Sequence, residues 1–246
     1  MARIWRGIVL HRLLALRARA AAYAGAACIE AQAAGGGGAV GGNMKLLRMM
    51  GVLCAGLTVA ACASTQPTGR NIELPPKRLL QEGFSFVPLN EEGWVINQRK
   101  SNLVILGKYG KNPDQTFAIS AGLIRLPPFK TTEEFVRLVK EGQSQDTDPK
   151  RFKTIRHEVT SYPKDGAECA RSYWVAVDHA AAKRSGQPGD MNFEILTLLC
   201  AHPKDKKIGV NVFYSQRSYP GQEDPAFLEK ATTVLNSVEL TDPYVK

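Results

Sequence analysis

Residues 167–203 read AECARSYWVAVDHAAAKRSGQPGDMNFEILTLLCAHP, and this stretch decides the fold. Two strand-like runs, AECARSYWVAV and MNFEILTLLCAHP, flank the turn-rich AAAKRSGQPGD, the pattern of an antiparallel hairpin. In a simple hairpin the positions of facing residues share one midpoint. The midpoint of Cys169 and Cys200 falls between Arg184 and Ser185, inside the loop. The register therefore predicts cysteines that face each other. A disulfide there would restrict the unfolded chain by about 3.5 kcal/mol in the loop-entropy description. Two buried free thiols are the alternative, and which holds depends on the redox compartment.

The compartment is read from the N-terminal side. From Met44 the chain runs MKLLRMMGVLCAGLTVAACAS. Lys45 and Arg48 form a short positive start, Met49 to Val59 is an apolar core too short to span a bilayer comfortably, and Ala60 and Ala61 directly precede Cys62. This order resembles the lipobox of bacterial lipoproteins. The resemblance implies diacylation of the Cys62 thiol and cleavage before it, so that 44–61 is a signal peptide. An ordinary secretory signal with an incidental Cys62 is the alternative. Ala63 and Ser64 follow, with no Asp after the cysteine, which within the lipoprotein family implies the outer membrane, on its periplasmic face. A diacyl or triacyl anchor lies well beyond the marginal binding of one chain.

A signal starting at Met44 needs nothing before it. Residues 1–43 are rich in Ala, Arg and Gly and end in GGGGAVGG, so they are expected to be a spurious upstream extension; an Arg-rich transit-like segment is the weaker reading. Processing would remove Cys28 and Cys54 and commit Cys62 to lipid, leaving Cys169 and Cys200 as a pair in an oxidising compartment.

The charge balance follows the same division. Seven of the basic residues, but only Glu30 among the acids, precede Cys62, so most of the formal charge of +9 belongs to the leader. The remainder shows no Arg/Lys stripe interleaved with aromatics, so no nucleic-acid partner is expected. No metal or cofactor is expected either: there is no C-x-x-C, and His157, His179 and His202 are scattered.

Residues 62–80, with Pro67, Gly69, Pro75 and Pro76, read as a lipidated tether, and 81–246 as one domain. Strand patterns occur at FSFV, WVIN, NLVILGKY, TFAISAGLIRL, TIRHEVTS, the two cysteine runs and IGVNVFYS. In the last, Ile208, Val210, Val212 and Tyr214 predict one well-buried face. A helix is predicted near Thr132 to Gly142, with Thr131 and Glu134 at capping-box spacing. A second is predicted from Asp224 as N-cap with Pro225 at its first position, its apolar stripe running from Phe227 to Val238. Strands joined by short turns, with two helices, predict an α+β fold: a mainly antiparallel sheet flanked by helices. GFSFVPLNEEGWVI at 83–96, followed by this element order and a closing helix, resembles the PsbP-like α-β-α sandwich. That resemblance implies a non-catalytic accessory or binding protein.

No G-x-S-x-G, G-x-x-x-x-G-K, G-x-G-x-x-G or H-E-x-x-H is present. His157 with Glu158 and His179 with Asp178 are adjacent pairs, but neighbours in a strand point to opposite faces, which argues against cooperation at 157 and 158, and Asp178 and His179 sit at a predicted strand end, where polar residues are expected anyway. The segment YSQRSYPGQ offers Tyr214, Arg217 and Tyr219 as candidate ligand-loop residues, although a strand-to-helix connection would contain such residues without any ligand. The expectation is a membrane-anchored periplasmic lipoprotein with a possible periplasmic protein partner. A small envelope hydrolase with an unrecognised site is the alternative.

Overall fold

Ten consecutive pairs, from Cys169 opposite Cys200 to Asp178 opposite Met191, join strand β8 (Cys169–Asp178) to β9 (Met191–His202) without a register shift. The hairpin read from the loop midpoint is thus the hairpin that forms, and the two cysteine sulphurs are bonded. These features come from a computed structural model that describes residues 69–244. The expected upstream extension, signal peptide, lipidated Cys62 and start of the tether lie outside the described residues; within the rest of the range read as tether, Arg70–Asn71 pairs with Val95 and Ile96, and Leu79–Gln81 with Phe84–Phe86, so these residues are joined to the sheets.

Around the hairpin the chain builds β1 (Arg70–Asn71), β2 (Leu79–Gln81), β3 (Phe84–Phe86), β4 (Val95–Lys100), β5 (Leu103–Tyr109) and β6 (Thr116–Arg125) before it. Helix α1 (Thr132–Asp146) and β7 (Phe152–Ser161) lead into β8; after β9 come β10 (Asp205–Ser218), α2 (Phe227–Asn236) and β11 (Glu239–Leu240). The large sheet has the order β1-β4-β5-β6-β10-β9-β8-β7, every pair antiparallel. A small sheet, β11-β3-β2, accompanies it. Helix α1 carries the chain from β6 in the middle to β7 at the far edge. The meander β7-β8-β9-β10 then returns until β10 closes on β6.

Successive strand residues point to opposite faces, and the core is divided accordingly. Leu196, Leu198 and Cys200 of β9 pack with Phe227, Ala231 and Val234 of α2, together with Phe84, Phe86 and Trp94. Leu199 and Ala201, on the other face, pack with Phe135 and Val139 of α1. The helices therefore cover opposite faces of one antiparallel sheet, as expected for the α+β class. Burying each large apolar side chain contributes about 1.5–3 kcal/mol, so both helices are held mainly by their stripes.

Three local expectations are corrected. Helix α1 continues beyond Gly142 to Asp146; Thr131 caps it through Oγ1, which accepts from Glu134 N at 3.2 Å, while Glu134 Oε2 accepts from Lys130 N at 2.8 Å. Helix α2 begins at Phe227, with Ala226 and not Asp224 at its N-cap. Asp224 instead organises the turn before it, accepting from Ala226 N at 3.0 Å and holding Lys230 at 2.7 Å. Strand β10 is buried on both faces from Gly209 to Gln216, because it is the fifth of eight strands and is screened by neighbours as well as by the layers above and below.

The edge strand β7 is mostly exposed and carries a bulge at Ile155, between Thr154 and Arg156. The bulge and the charged pair Arg156–Glu158 (2.7 Å) interrupt an otherwise unpaired edge.

Replacing both Cys169 and Cys200 with Ala is expected to lower the unfolding free energy by about 2–4 kcal/mol. Urea unfolding of the oxidised protein and the variant checks this; superimposable curves would refute it.

Candidate functional site

The end of the sheet opposite the disulfide gathers four connections: the β8–β9 loop, the β5–β6 turn, the α1–β7 loop and the end of β10. Asp178, the last residue of β8, is fully buried there. Arg151, from the α1–β7 loop, donates to it bidentately, Nε to Oδ1 at 2.9 Å and Nη2 to Oδ2 at 3.0 Å. Arg217 of β10 brings a second guanidinium, its Nε 2.9 Å from Oδ2. Ala180 N also donates to Oδ1, at 3.1 Å. One carboxylate thus joins three segments that lie far apart in sequence.

Aromatic rings floor this cluster. Phe152, Trp174 and Phe193 lie 5.3–5.7 Å apart between ring centres. The Arg151 guanidinium lies 4.9 Å over Phe152 and that of Arg217 lies 4.7 Å over Phe193, within cation–π range. Burial draws the Arg217 guanidinium below its ordinary pKa; nearby Arg151 adds to the shift, and Asp178 opposes it.

A second carboxylate holds the loop tip. Asp114, in the β5–β6 turn and 1% exposed, accepts from Arg184 N at 2.6 Å, Ser185 N at 2.8 Å, the Ser185 hydroxyl and the Tyr219 hydroxyl at 2.9 Å. Burial by itself would raise its pKa, but the hydrogen bonds from Ser185, Tyr219 and Arg184 outweigh it and bring the group down to about 2. Arg184 and Ser185 are the residues at the midpoint of the hairpin, so the tip of the loop is where this clasp acts.

The three residues read as ligand-loop candidates do not converge. Tyr214 and Arg217 are an odd number of positions apart and face opposite sides of the sheet. Tyr214 is a core residue against Trp94, Phe117 and Phe227, at 5.3–6.4 Å between ring centres. Tyr219 is buried with its hydroxyl on Asp114, and Arg217 faces Asp178. Across the α2 face, Gln216 Nε2 donates to Glu194 at 2.7 Å, and Gln216 Oε1 accepts from Asp224 N at 2.9 Å, tying β10 to the turn before α2.

The histidines are separate. His157 Nε2 and the Ser172 hydroxyl both bond Gln143 Oε1, at 2.9 and 2.7 Å, while Glu158 pairs with Arg156. Burial lowers the pKa of His157, and Lys140 adds to the shift. His179 turns away from Asp178 and binds Asp190 through Nδ1 at 2.8 Å, both side chains being exposed. His202 is buried; its Nε2 lies 2.7 Å from Thr241 O, and Lys204 N donates to its Nδ1 at 3.1 Å. Among the described residues, no group of three or more His, Cys, Asp or Glu is placed to hold a metal ion, and no helix is long and apolar enough to cross a membrane.

Sequence reasoning did not find Asp114, Asp178 with its arginines, or the Gln216 bridge. Asp114 stands in KNPDQ, where an Asp reads as an ordinary turn residue. Nothing in the local pattern announces partners 70 residues away.

No protein-family model matches the chain, and no curated protein matches it. Among solved structures it is similar to the solution structure of cyanobacterial PsbP (CyanoP) from Synechocystis sp. PCC 6803, at 13% identity and a TM-score of 0.36, covering 74% of this chain and 99% of that one. At that score neither family nor function passes from one chain to the other.

Two predictions follow from the clasps. Asp178→Asn leaves two guanidiniums without their counter-charge and is expected to cost about 3–5 kcal/mol, measured by urea unfolding against the parent. Asp114, whose pKa falls from 3.8 to about 2 on folding, stabilises the loop fully above 3.8 and loses that contribution as pH drops toward 2. Hydrogen exchange at the Arg184 and Ser185 amides, normalised for intrinsic rate, is expected to accelerate across that window in the parent but not in Asp114→Asn.

Proposed function

We propose that this protein is a non-enzymatic accessory or binding module of the bacterial cell envelope, lipidated at Cys62 and held on the periplasmic face of the outer membrane. The observation that carries the module reading is the use of the site's polar groups: Asp114, Asp178, Ser185 and Tyr219 are bonded across loops, fixing a surface. The Ser172 hydroxyl and His157, which would need each other for nucleophilic chemistry, bond the same oxygen of Gln143.

The anchor reading is supported by the residues from Met44 to Cys62, in which a positive start, an apolar core and a small-small-Cys ending occur in order. The bond between Cys169 and Cys200 agrees with an oxidising compartment. The residues between Cys62 and the first strand, Arg70–Asn71, then supply a short tether between lipid and domain, and the partner is a periplasmic protein that meets the domain on its free surface.

Intact-mass and N-terminal peptide analysis of protein taken from its native membrane fraction tests this reading. The expected chain begins at acylated Cys62 and gains the mass of about two hydrogens on reduction. A chain that retains Met1 and carries no lipid would overturn the anchor and the compartment together.

A further inference from the structure

The two arginines around Asp178 are not equally satisfied. Arg151 engages both carboxylate oxygens with well-directed bonds. Arg217 has its side chain only 15% exposed, and its buried Nε–H makes no hydrogen bond. Asp178 Oδ2 is 2.9 Å away, so the contact is ionic in distance, but the N–H direction misses it. An unsatisfied buried donor costs about 1–3 kcal/mol, and more when it belongs to a charged group.

The charge is unbalanced as well. Two guanidiniums share one carboxylate, leaving one positive charge in excess at Asp178. The next carboxylate on the loop, Asp190, is engaged by His179. The Phe193 ring covers one face of the Arg217 guanidinium. An acceptor would therefore approach in the guanidinium plane, where the N–H groups point and where planar or tetrahedral oxyanions bind best. Arg151, with 29% of its side chain exposed, opens the cluster to solvent.

We propose that Arg217 and Arg151 form a subsite for a small oxyanion, a carboxylate or a phosphate, at the loop end of β10. This rests on the binding-module reading and is independent of the lipid anchor. The anion would balance the positive charge that two guanidiniums leave over one carboxylate, entering from the side on which Arg151 is exposed. The phosphate and carboxylate sources share this chemistry and differ only in the geometry of the oxygens.

The test is a titration of the full-length protein with inorganic phosphate, and separately with acetate, at constant ionic strength held with chloride. Binding is followed by the NMR signals of the arginine Nε–H groups. Saturable shifts at Arg217 and Arg151 are expected, and Arg151→Gln is expected to weaken binding about tenfold or more, as loss of a charge-assisted bond implies. Saturation by phosphate alone assigns a tetrahedral ligand, saturation by acetate alone assigns a carboxylate, and saturation by both assigns a site that accepts either oxyanion. Shifts that do not saturate, that spread over surface lysines and arginines alike, or that persist at parental affinity in Arg151→Gln would overturn the proposal. Should Arg151→Gln lose its native circular dichroism, Arg217→Lys, which keeps the charge but not the fork, serves instead. Parental affinity in that variant would overturn the proposal equally. Neither outcome bears on the mass of the acylated chain, so a failure here and a failure of the anchor are told apart.

Discussion

The unbroken pairing of β8 with β9 is the constraint on which the rest of the domain depends. Slipping this pairing by one residue would turn every side chain of a strand to the other face. Leu196 and Leu198 would leave the α2 layer, and Leu199 would leave α1. The register is pinned twice. A covalent bond fixes it at Cys169 and Cys200, and at the other end Asp178 is held by arginines from two further segments. Between these points the alternation of apolar residues supplies the energy, while the two ends supply the alignment.

Much of this was legible because it is local. The loop composition located the turn, the midpoint between the cysteines located the register, and the capping-box spacing of Thr131 and Glu134 located the start of α1. The errors were also local, and each has a physical cause. Asp224 beside Pro225 has the sequence of a helix start, but its carboxylate is drawn to Lys230 and to Ala226 N, so the helix waits until Phe227. Tyr214 looked available in a polar loop, yet its position in a central strand places it under α2.

What was not legible is the long-range polar chemistry. Asp114, Arg151, Asp178 and Gln216 each sit in unremarkable surroundings, and their roles arise when topology brings distant segments together. Buried polar groups are kept because their partners are supplied, and a single missing partner leaves a charged donor stranded. The candidate site follows this logic: its carboxylates fasten loops and so define a surface, and the poorly directed contact at Arg217 belongs to the arginine pair proposed to bind an anion.

The seam between β6 and β10 has a consequence in time. Its register joins Arg125 to Ile208 and Thr116 to Arg217, residues roughly 80 to 100 positions apart. Every local hairpin can form before this seam, but the two halves of the sheet cannot share a core until the whole β7-to-β10 meander has been made and brought back. Closing so long a loop precedes any gain from the contacts it creates. Within the large sheet this seam therefore carries the greatest closure cost, and until it forms the two apolar strands β6 and β10 stand unjoined in the middle of the sheet. Bonding Cys169 to Cys200 early shortens the search, since it delivers β10 to the seam from a hairpin already in register.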